Sequence, residues 1–448
     1  MFKNLIKKIT PSFLIKAYHF FFSFSGAIFY GFPSEKMKVI GITGTNGKTT
    51  TVDLISRILE EAGYKVAAVS SVKFKIADKE WQNDLKMTMP GRFILQRFLR
   101  KALKSNCQYV VLEVTSEGIA QFRHRFIDFD VAIFTNLSLE HIERHGSFEN
   151  YRQAKGELFK KCREIHIINL DDPNAKYFLK FPANEKYVYG LNESLKIEEL
   201  EAGNWKLIKA VGSKCSENGI EFKVNDVCFS LKLLGEFNIY NSLVAICAGL
   251  SQGVNLETCQ KALGKAGIVP GRMEVVVEKP FKVIVDYAHT PDSLQKVYET
   301  LSGISNSQFP ISNSKKPKLI CVLGSAGGGR DKWKRPEMGK IASQNCEEII
   351  LTNEDPYDEN PMEIIEQVAK GVENISINQS NQHKSAVHKI LDRRKAVKKA
   401  LGLANPGDIV IITGKGCEPW MCLENNRKIP WDDRDVVREE FKKTEESL

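Results

Sequence analysis

The sequence predicts an α/β protein in which two successive domains each contain a mainly parallel sheet covered by helices. Short apolar runs of strand length alternate with stretches of helical periodicity, the pattern typical of parallel sheets. A glycine-rich turn separates the first strand of this series from the first helix. The alternation stops and restarts once, and 448 residues exceed the size of one ordinary core. We therefore expect two α/β domains.

The first domain begins with the strand "KVIGIT" from Lys38 and the helix "TTVDLISRILEEAG". Further strands are predicted at "YKVAAVSS", "CQYVVLEVTS", "DVAIFTNLS" and "EIHIINLDD", with helices at "GRFILQRFLRKALK" and "ENYRQAKGELFKKC". Between about 205 and 234, the shorter alternating runs "GIEFKV" and "VCFSLKL" predict an antiparallel insertion or an edge of the sheet. Two helices, beginning near Asn238 and Leu256, complete the domain.

The second domain follows the Pro-Gly turn in "GIVPGRME". Strand–loop–helix units restart at "FKVIVDYAHTPDSLQKVYETL" and continue with "KLICVLGSAGGGRDKWKRPEMGKIA", "EEIILTNEDPYDENPMEIIEQV" and "GDIVIITGKGCE". Functional loops are expected at the carboxyl ends of these strands. The predicted division is an N-terminal segment 1–36, a central domain 37–269 and a C-terminal domain 270–448.

Composition narrows the class of protein. The net charge of +9 suits an acidic partner, such as a nucleotide, a nucleic acid or a membrane surface. The densest basic run, "DRRKAVKKA", has helical spacing and predicts a solvated helix face, and no nucleic-acid-binding signature accompanies it. The ten cysteines form no C-x-x-C pair, which fits thiols kept reduced in a cytosol. We therefore expect a cytoplasmic protein without a nucleic-acid partner.

The N-terminal segment is unusually aromatic. "AYHFFFSFSGAIFYGF", 17–32, contains no charged residue of the Lys, Arg, Asp or Glu type and follows a lysine-bearing lead. It is shorter than the roughly 20 residues that span a bilayer. Two interpretations remain. The segment forms helices packed on the domain behind it, which we favour, or residues 3–32 lie on a membrane surface.

The stretch "GITGTNGKTTT", from Gly41, is similar to a phosphate-binding P-loop with altered spacing. The usual pattern places four residues before Gly-Lys-Thr, whereas five separate Gly41 from Gly47. Between a strand and a helix, backbone N–H groups and the helix N-terminus surround phosphate oxygens. Lys48 adds a positive charge and Thr49 a hydroxyl ligand for Mg²⁺. We predict a P-loop ATPase domain here and a Rossmann-like domain after it, the alternative being a glycine turn with a solvent-facing lysine.

Two further residues follow strand ends in the same domain. Glu113 ends the strand "VVLEV", from which its carboxylate can reach a metal at the P-loop. His141 follows another strand in "TNLSLEHIERHG", with His145 close by. A satisfied edge carboxylate and structural histidines are the alternative interpretation of these residues.

The motifs "GTNGKTTT", "LEVTSEGIAQFRHR", "FTNLSLEHIERHGSFENYRQAKGELF", "LLGEFNIYNSLVA", "PGRME", "VDYAHTPDSL", "GRDKWKRPEMG" and "GKGCE" follow one another in this order. In that order they resemble the Mur ligases of peptidoglycan synthesis, and most closely the MurE type. The resemblance runs from about Lys38 to Arg438. It also accounts for the loop spacing, because the loop of this family reads G-T-x-G-K-T, here from Gly44.

The resemblance implies an ATP-dependent acid–amino-acid ligase. Such an enzyme adds the third stem-peptide amino acid to UDP-MurNAc-L-Ala-D-Glu through an acyl phosphate and releases ADP and phosphate. A folylpolyglutamate-type ligase is an alternative that "GRDKWKRPEMG" and "DYAHTPDSL" fit less well. A non-catalytic nucleotide-binding protein of the membrane surface is the other alternative. The resemblance further implies a monomer that uses ATP, Mg²⁺ and small-molecule substrates.

Site residues are implied in the same way. Nucleotide contacts are expected at Thr45, Asn46, Gly47, Lys48, Thr49, Thr50, Asn238, Arg272 and Asp286. Thr49, Glu113, His141 and Lys155 are expected at the metal, and Lys48, Glu113, His141 and Lys155 in catalysis. Lys155 matches a lysine that the family carbamylates, which converts a cation at neutral pH into an anion able to hold metal.

The substrates are expected to contact two further groups of residues. Thr88, Thr115, Gln121 and Arg123 match positions that bind the muramoyl dipeptide, and a guanidinium is suited to an anionic substrate. The incoming amino acid is expected at Arg330, Glu354, Asp355, Pro356, Tyr357, Gly414 and Glu418.

This chain departs from the family pattern at several positions. Thr88-Met89-Pro90 stands for Thr-Thr-Pro, Thr115-Ser116-Glu117 for Ser-Ser-His, and Cys417 for a histidine. Glu354-Asp355-Pro356-Tyr357 replaces the diaminopimelate motif Asp-Asn-Pro-Arg, which removes an arginine and adds negative charge. We therefore expect a cationic amino acid such as lysine. The uridine-binding domain, about a hundred residues in this type, is expected to be shortened to the first 36 or so, which leaves a membrane-borne acceptor as an option.

Overall fold

The computed structural model describes residues 10–85, 87–192, 205–307, 317–378 and 385–445. The elements before residue 192 are α1 (Ser12–Tyr30), a 3-10 helix (Pro33–Lys36), β1 (Lys38–Thr43), α2 (Lys48–Glu61), β2 (Val66–Val69), β3 (Lys73–Ile76), β4 (Lys79–Gln82), α3 (Arg92–Lys104), β5 (Tyr109–Glu113), α4 (Ser116–Ala120), β6 (Val131–Phe134), α5 (Ile142–His145), α6 (Phe148–Lys161), β7 (Ile165–Asn169), α7 (Ala175–Leu179) and β8 (Glu185–Gly190).

The elements from residue 205 to 307 are β9 (Trp205–Ser216), β10 (Gly219–Val224), β11 (Val227–Leu231), α8 (Phe237–Ser251), α9 (Leu256–Gly264), β12 (Glu274–Val277), β13 (Lys282–Asp286) and α10 (Pro291–Ser307). The remaining elements are β14 (Leu319–Leu323), α11 (Lys334–Asn345), β15 (Glu348–Thr352), α12 (Pro361–Asn378), β16 (Ala386–Ile390), α13 (Arg393–Leu403), β17 (Ile409–Thr413), β18 (Trp420–Cys422), a 3-10 helix (Glu424–Asn426), β19 (Lys428–Pro430) and α14 (Asp433–Glu445).

Within the described residues, the first sheet has eleven strands in the order β11-β10-β9-β8-β7-β6-β1-β5-β2-β3-β4. Its centre is parallel, with Ile40 of β1 opposite Val111 of β5 and Val131 of β6. These strands read as continuous apolar runs because helices cover both faces. The antiparallel strands β9 to β11 extend one edge, as predicted for 205–234, and the β3–β4 hairpin extends the other.

The second sheet has six strands among the described residues, in the order β12-β13-β17-β14-β15-β16. Its strands are parallel except β12. The predicted α/β fold with two mainly parallel sheets is therefore confirmed. In both sheets, the polar residues that end the strands, such as Glu113, Asp286 and Thr413, lie at the carboxyl edge, where ligands bind in open α/β sheets.

The hydrophobic cores lie on both faces of each sheet. Helices α2, α8 and α9 cover one face of the first sheet, with Ile55 and Leu243 in its core, and α3 and α6 cover the other, with Leu99 and Phe159. In α2, apolar residues recur at helical spacing up to Leu59, and the turn ends at Gly63 with φ 91°. The second sheet is covered by α10, α11 and α12 on one face and by α13 and α14 on the other.

Helix α1 packs on the first domain, so the favoured interpretation is confirmed for residues 12–30. The Ser23 hydroxyl donates to the carbonyl oxygen of Phe122 at 2.7 Å, and the rings of Phe22 and Tyr30 contact Phe93. Residues 3–9 of the expected membrane-contact segment lie outside the described residues. Across the described ranges, no helix is both long and apolar enough to cross a membrane.

The basic run "DRRKAVKKA" forms the predicted helix, α13, but its expected solvation is wrong at one position. Arg393 is buried, and its Nε and Nη2 donate to the two carboxylate oxygens of Asp433 at 2.8 and 2.7 Å. The charge is compensated inside the second domain because the first turn of α13 packs against α14. Arg394 is half-buried, with 41% of its side chain exposed.

Candidate active site

The loop that joins β1 to α2 requires glycine at two positions. Gly44 has φ 153° and Gly47 has φ 83°, conformations that side chains rarely adopt. A Cβ atom at Gly44 would lie 1.9 Å from Thr135 Oγ1, and one at Gly47 would lie 2.4 Å from Asn241 Oδ1. The loop therefore passes close to β6 and α8 and presents the N-terminus of α2, a geometry suited to phosphate.

Lys48 is the first residue of α2, and its ammonium group folds back over the loop. Its Nζ donates to the carbonyl oxygens of Gly44 at 3.0 Å and Thr45 at 2.8 Å. Burial lowers the pKa of Lys48, and the Glu113 carboxylate opposes this shift. A phosphate oxygen at the loop would give this buried ammonium group a fully anionic partner.

The neighbouring predicted residues hold the loop in place. Thr45 Oγ1 accepts a hydrogen bond from the backbone N–H of Ser138 at 3.0 Å. Asn46 Nδ2 donates to Asp292 Oδ2 of the second domain at 2.9 Å. Thr50 is buried in the first turn of α2. With these side chains engaged, a phosphate at the loop would meet backbone N–H groups and the helix terminus.

Thr49 and Glu113 are joined through a residue that the sequence did not indicate. The hydroxyl groups of Thr49 and Ser71 are 2.7 Å apart, and the Ser71 N–H donates to Glu113 Oε1 at 3.0 Å. Arg272 Nη2 from the second domain lies 3.2 Å from Ser71 Oγ. Ser71 follows β2 in "VSS", so its place after a buried strand was the one signal available.

Lys155 lies on α6 and points at the same loop. Its side chain is buried, and Nζ donates to the carbonyl oxygen of Gly44 at 2.6 Å and lies 4.6 Å from the ring centroid of Tyr151. Burial, reinforced by the positive charge of Lys48, holds the pKa of Lys155 well below its usual value. Burial of this kind favours the neutral amine over the ammonium form.

His141 and Glu140 follow β6 on the other side of the loop. His141 has φ 59° and caps α5, with Nδ1 3.6 Å from Glu117 Oε1. Burial lowers the pKa of His141, so the ring is neutral. Glu140 Oε1 pairs with Lys334 at 3.1 Å, whereas the buried Oε2 has no hydrogen-bond partner among the described residues. Glu140 was not predicted, although it lies in the same motif as His141, because only the histidine was assigned a role there.

The predicted magnesium ligands fit that ion only in part. Among the described residues, no three His, Cys, Asp or Glu side chains converge closely enough to hold a metal. Thr49 offers a hydroxyl and Glu113 a carboxylate, and the orphaned Glu140 oxygen is a further carboxylate nearby. Mg²⁺ commonly binds through one or two carboxylates together with waters and substrate phosphates. The donor set therefore suits Mg²⁺ that arrives with a nucleotide.

The remaining predicted nucleotide residues divide between two roles. Arg272 reaches Ser71 and lies 4.3 Å from the ring centroid of Tyr287. Asp286 accepts the backbone N–H groups of Met273 and Ala288 at 2.7 and 2.6 Å, so both of its oxygens hold the backbone around Arg272. Asn238 lies behind the loop and is connected to it through Asn241. Its Oδ1 accepts a hydrogen bond from Asn241 Nδ2 at 2.9 Å, and the Asn241 side chain lies next to Gly47.

The predicted acceptor residues lie together at the end of β5. Arg123 Nη2 donates to Gln121 Oε1 at 2.8 Å, and Nη1 donates to the carbonyl oxygen of Met89. Thr115 Oγ1 accepts the Gly118 N–H at 3.0 Å and caps α4. Thr88 is half-buried next to Met89. A cationic group and small polar groups thus border one side of the site.

The predicted amino-acid residues contain an internal ion pair. Lys415, which was not predicted, donates to both oxygens of Asp355 at 3.0 and 3.1 Å and also to Glu418. The buried Glu354 differs, because its Oε2 has no partner within the described residues. A Cβ at Gly414 would lie 2.4 Å from that oxygen. Burial raises the pKa of Glu354.

Tyr357 and Arg330, two further predicted amino-acid residues, are half-buried. Tyr357 has φ 52°, and a Cβ at Gly328 would lie 2.5 Å from its ring. Arg330 has Tyr287, Glu117 and Tyr357 as electrostatic neighbours. The backbone of Gly327, in the adjacent glycine-rich loop, also packs closely here, since a Cβ at this position would lie 2.2 Å from the Pro356 carbonyl oxygen. Arg330 therefore interacts electrostatically with residues of both the predicted acceptor side and the predicted amino-acid side.

Polar contacts hold the two domains together across the site. Asp331 accepts the backbone N–H groups of Ile142 at 3.2 Å and Glu143 at 2.8 Å, at the start of α5. Lys334 pairs with Glu140 and donates to the carbonyl oxygen of His289 at 3.0 Å. The second domain thereby covers the turn that carries His141.

Two family models match most of the chain. The Mur ligase middle domain matches residues 42–249, and the model described as Mur ligase, glutamate ligase domain matches residues 271–416. These two matched ranges contain the loop, the acceptor side and most of the amino-acid pocket.

Known proteins resemble the chain over nearly its whole length. The UDP-N-acetylmuramoyl-L-alanyl-D-glutamate--2,6-diaminopimelate ligase of Syntrophomonas wolfei subsp. wolfei is 37% identical over 92% of this chain and 80% of the relative. The ligase of the same name from Aquifex aeolicus is 38% identical over 92% and 79%. A solved structure of a ligase with this name has a TM-score of 0.58 at 29% identity and covers 91% of this chain and 79% of the other. With both domain models and two such relatives in agreement, the chain belongs to the Mur ligase family of ATP-dependent ligases.

Proposed function

We propose that this ligase adds the third amino acid of the peptidoglycan stem to UDP-MurNAc-L-Ala-D-Glu. The observation that carries the proposal is the contact between the two domains across the site, where Asp331, next to Arg330, accepts the backbone N–H groups of Ile142 and Glu143. A reaction that joins a carboxylate to an amine requires both substrates to meet at one point. The names of the relatives support the same acceptor.

The proposed reaction has two steps. An oxygen of the acceptor carboxylate attacks the γ-phosphorus of ATP, which forms an acyl phosphate and releases ADP. The amine of the incoming amino acid then attacks the acyl carbon, phosphate leaves, and the nitrogen loses a proton. Positioning and charge neutralisation supply most of the catalysis in phosphoryl transfer. Lys48 would exchange the carbonyl oxygens of Gly44 and Thr45 for the transferred phosphoryl group.

We propose that Thr49, Glu113, His141 and a carbamate on Lys155 hold Mg²⁺, with the nucleotide phosphates completing the site. Bound Mg²⁺ supplies neutralisation of the phosphate charge. The environment of Lys155 supports the carbamate, because only a neutral amine adds to carbon dioxide and burial lowers the pKa of this side chain. The carbamate would place an anion beside Lys48 and thereby compensate the buried ammonium group.

We also propose a cytoplasmic, monomeric enzyme with peripheral membrane contact through its N-terminal segment and without a nucleic-acid partner. All the site residues predicted above belong to one chain, so the proposed reaction requires no second copy. Asp331 and Lys334 would maintain closure while the acyl phosphate exists and so limit its hydrolysis.

ADP release by the purified full chain tests the proposal. With ATP, Mg²⁺ and UDP-MurNAc-L-Ala-D-Glu, we expect release to require an added amino acid. Lys48→Ala should lower the rate at least about a hundredfold, because a preorganised charge at the phosphoryl group is lost. Lys38→Ala is the matched control, since Lys38 lies on the surface in an ion pair with Asp130 and should retain activity. Absence of amino-acid-dependent turnover would overturn the acceptor assignment.

We further propose that the amino acid is cationic, as lysine is, although the relatives above are named for diaminopimelate. Asp355 is already paired with Lys415, so the orphaned and buried Glu354 oxygen is the group that an incoming ammonium would satisfy. Tyr357 offers one hydroxyl where the diaminopimelate motif has an arginine. A second carboxylate would therefore lack a bidentate partner.

Tyr357→Arg should shift specificity towards diaminopimelate. A bidentate, charge-assisted contact is worth roughly 1.5–3 kcal/mol, so kcat/KM for diaminopimelate relative to lysine should rise about 10- to 100-fold. Tyr357→Phe is the matched control, because it removes the hydroxyl and adds no charge. Wild-type protein that ligates diaminopimelate and ignores lysine would contradict the cationic assignment.

A further inference from the structure

Helix α1 presents a continuous apolar face to solvent. Leu14, Phe21 and Ile28 recur every seven residues and so lie in one row along the helix. Side chains beside this row are strongly exposed, with Phe29 at 75% and Phe13 at 66% of full exposure. Large exposed apolar patches on folded proteins mark interaction sites.

This exposure is not a consequence of loose packing of α1. The opposite face of the helix is buried, and Ser23 is 2% exposed with its hydroxyl bonded to Phe122 of the domain behind it. Gly31 ends the helix in the left-handed conformation at φ 68°. The fold therefore holds α1 in a fixed orientation with its aromatic face outward.

Basic side chains border the aromatic face. The guanidinium of Arg92 lies 6.0 Å from the ring centroid of Tyr18, and that of Arg125 lies 6.0 Å from the ring centroid of Phe20. Helix α3 contributes further basic residues. Phe93 of α3 contacts α1, and the exposed residues at helical spacing after it are Arg97, Lys101 and Lys104. The first acidic residue of the whole sequence is Glu35, whereas Lys3, Lys7, Lys8 and Lys16 precede it.

Aromatic rings with a basic border are suited to the interface of an anionic lipid bilayer. Amphipathic helices of this kind lie in the plane of the membrane, with rings at the headgroup level and Lys or Arg near the phosphates. A helix of 19 residues would lie about 28 Å along the surface at 1.5 Å per residue. None of the described helices is long and apolar enough to cross a membrane. Contact of α1 with the bilayer would therefore be peripheral.

The same helix contacts a residue that lies between two of the predicted acceptor residues in the chain. Ser23 of α1 binds the Phe122 carbonyl, and Arg92 Nε, at the start of α3, donates to the Gln121 carbonyl at 2.9 Å. Phe122 lies between Gln121 and Arg123 in the chain. Since a helix with its side chains is about 10–12 Å across, a membrane at the outer face of α1 would lie about one helix diameter from the acceptor side.

We propose that α1 docks the enzyme on an anionic lipid bilayer and places the acceptor side of the active site next to the headgroups. The second part rests on the proposed ligase function, whereas docking itself requires only α1 and its basic border. The arrangement would bring the enzyme to an acceptor made or consumed at the membrane.

Co-sedimentation of the full chain with vesicles tests this proposal without ATP or substrates. We expect binding to phosphatidylglycerol–phosphatidylcholine vesicles and at least about tenfold weaker binding to phosphatidylcholine alone. Phe21→Ser/Ile28→Ser should weaken binding to the anionic vesicles at least about tenfold, because two apolar side chains that would be buried in the bilayer are lost. Val211→Ser/Val387→Ser is the matched control, since both valines are exposed elsewhere on the surface and should leave binding unchanged.

Charge reversal provides a second arm. Arg97→Glu/Lys101→Glu should weaken anionic binding about tenfold and reduce its salt dependence. Equal binding to both vesicle types, or unchanged binding by both pairs of variants, would overturn the proposal. Light scattering addresses the competing occupant: a dimer lost in Phe21→Ser/Ile28→Ser, without vesicle binding, would assign the face to a second copy. ADP release with the soluble acceptor is measured separately, so failure of the ligase assignment is distinguishable from failure of docking.

Discussion

Lys155→Ala is expected to lower kcat by about a thousandfold while the protein remains folded. The Nζ atom lies 2.6 Å from the Gly44 carbonyl oxygen, inside the loop where the phosphates are proposed to bind. A carbamate there would be a preorganised anion, and removal of one such group commonly costs 10²–10³ in rate. The matched control is Lys160→Ala on the same helix, since Lys160 is exposed and pairs with Glu157. Initial rates of ADP release for both variants provide the comparison.

The modification has its own measurement besides activity. After addition of ¹³C-labelled bicarbonate, wild-type protein should show a carbamate carbon signal by NMR that Lys155→Ala lacks. An ordinary lysine has a pKa near 10.4 and resists carbamylation at neutral pH, because protonation competes with carbon dioxide. Burial lowers the pKa of Lys155, so its neutral amine persists to lower pH and the signal should be present near neutrality. A full rate in Lys155→Ala, or no signal in wild type, would contradict the assignment.

Arg393→Met is expected to lower the free energy of unfolding by about 3–5 kcal/mol, because it leaves the buried Asp433 carboxylate without its cation. Both side chains are almost fully buried, and two hydrogen bonds join them at 2.8 and 2.7 Å. Urea unfolding followed by circular dichroism measures the loss for the C-terminal half.

Arg394→Met is the matched control, one position along the same helix. Arg394 is partly exposed and pairs with Glu439 and Glu440 near the surface, so its loss should cost no more than about 1 kcal/mol. Adding Asp433→Leu to Arg393→Met should recover part of the stability, because the uncompensated charge disappears. Equal decreases in the free energy of unfolding for Arg393→Met and Arg394→Met would show that the buried ion pair contributes no more to stability than the surface pair.

The central strands could be predicted because they are buried on both faces. Strands such as β1, β5 and β6 therefore read as unbroken apolar runs between helices. Strands β4 and β16 were not predicted, since their residues are largely exposed. At sheet edges a neighbouring strand decides the conformation, which local composition does not reveal.

The candidate site followed the same division. The loop from Gly44 was indicated by its glycines and its place between strand and helix, whereas Ser71, Glu140 and Lys415 were not found. Their partners are remote in sequence: Lys334 meets Glu140 from the second domain, and Arg272 reaches Ser71 across the same boundary. The spacing of residues along the sequence does not reveal such contacts between distant segments.

By itself, the sequence determined the α/β class, the nucleotide loop and the family pattern, because these depend on local spacing and on burial of continuous runs. It left open whether the aromatic segment 17–32 packs on the first domain or remains exposed. It also left open which carboxylate of the amino-acid pocket is free to bind an incoming ammonium group. Tertiary structure decided both. One face of α1 packs on the domain and the other remains exposed, and Lys415 pairs with Asp355 but leaves an oxygen of Glu354 unpartnered among the described residues. The physical reason is that packing and charge compensation depend on which distant segments the fold brings into contact.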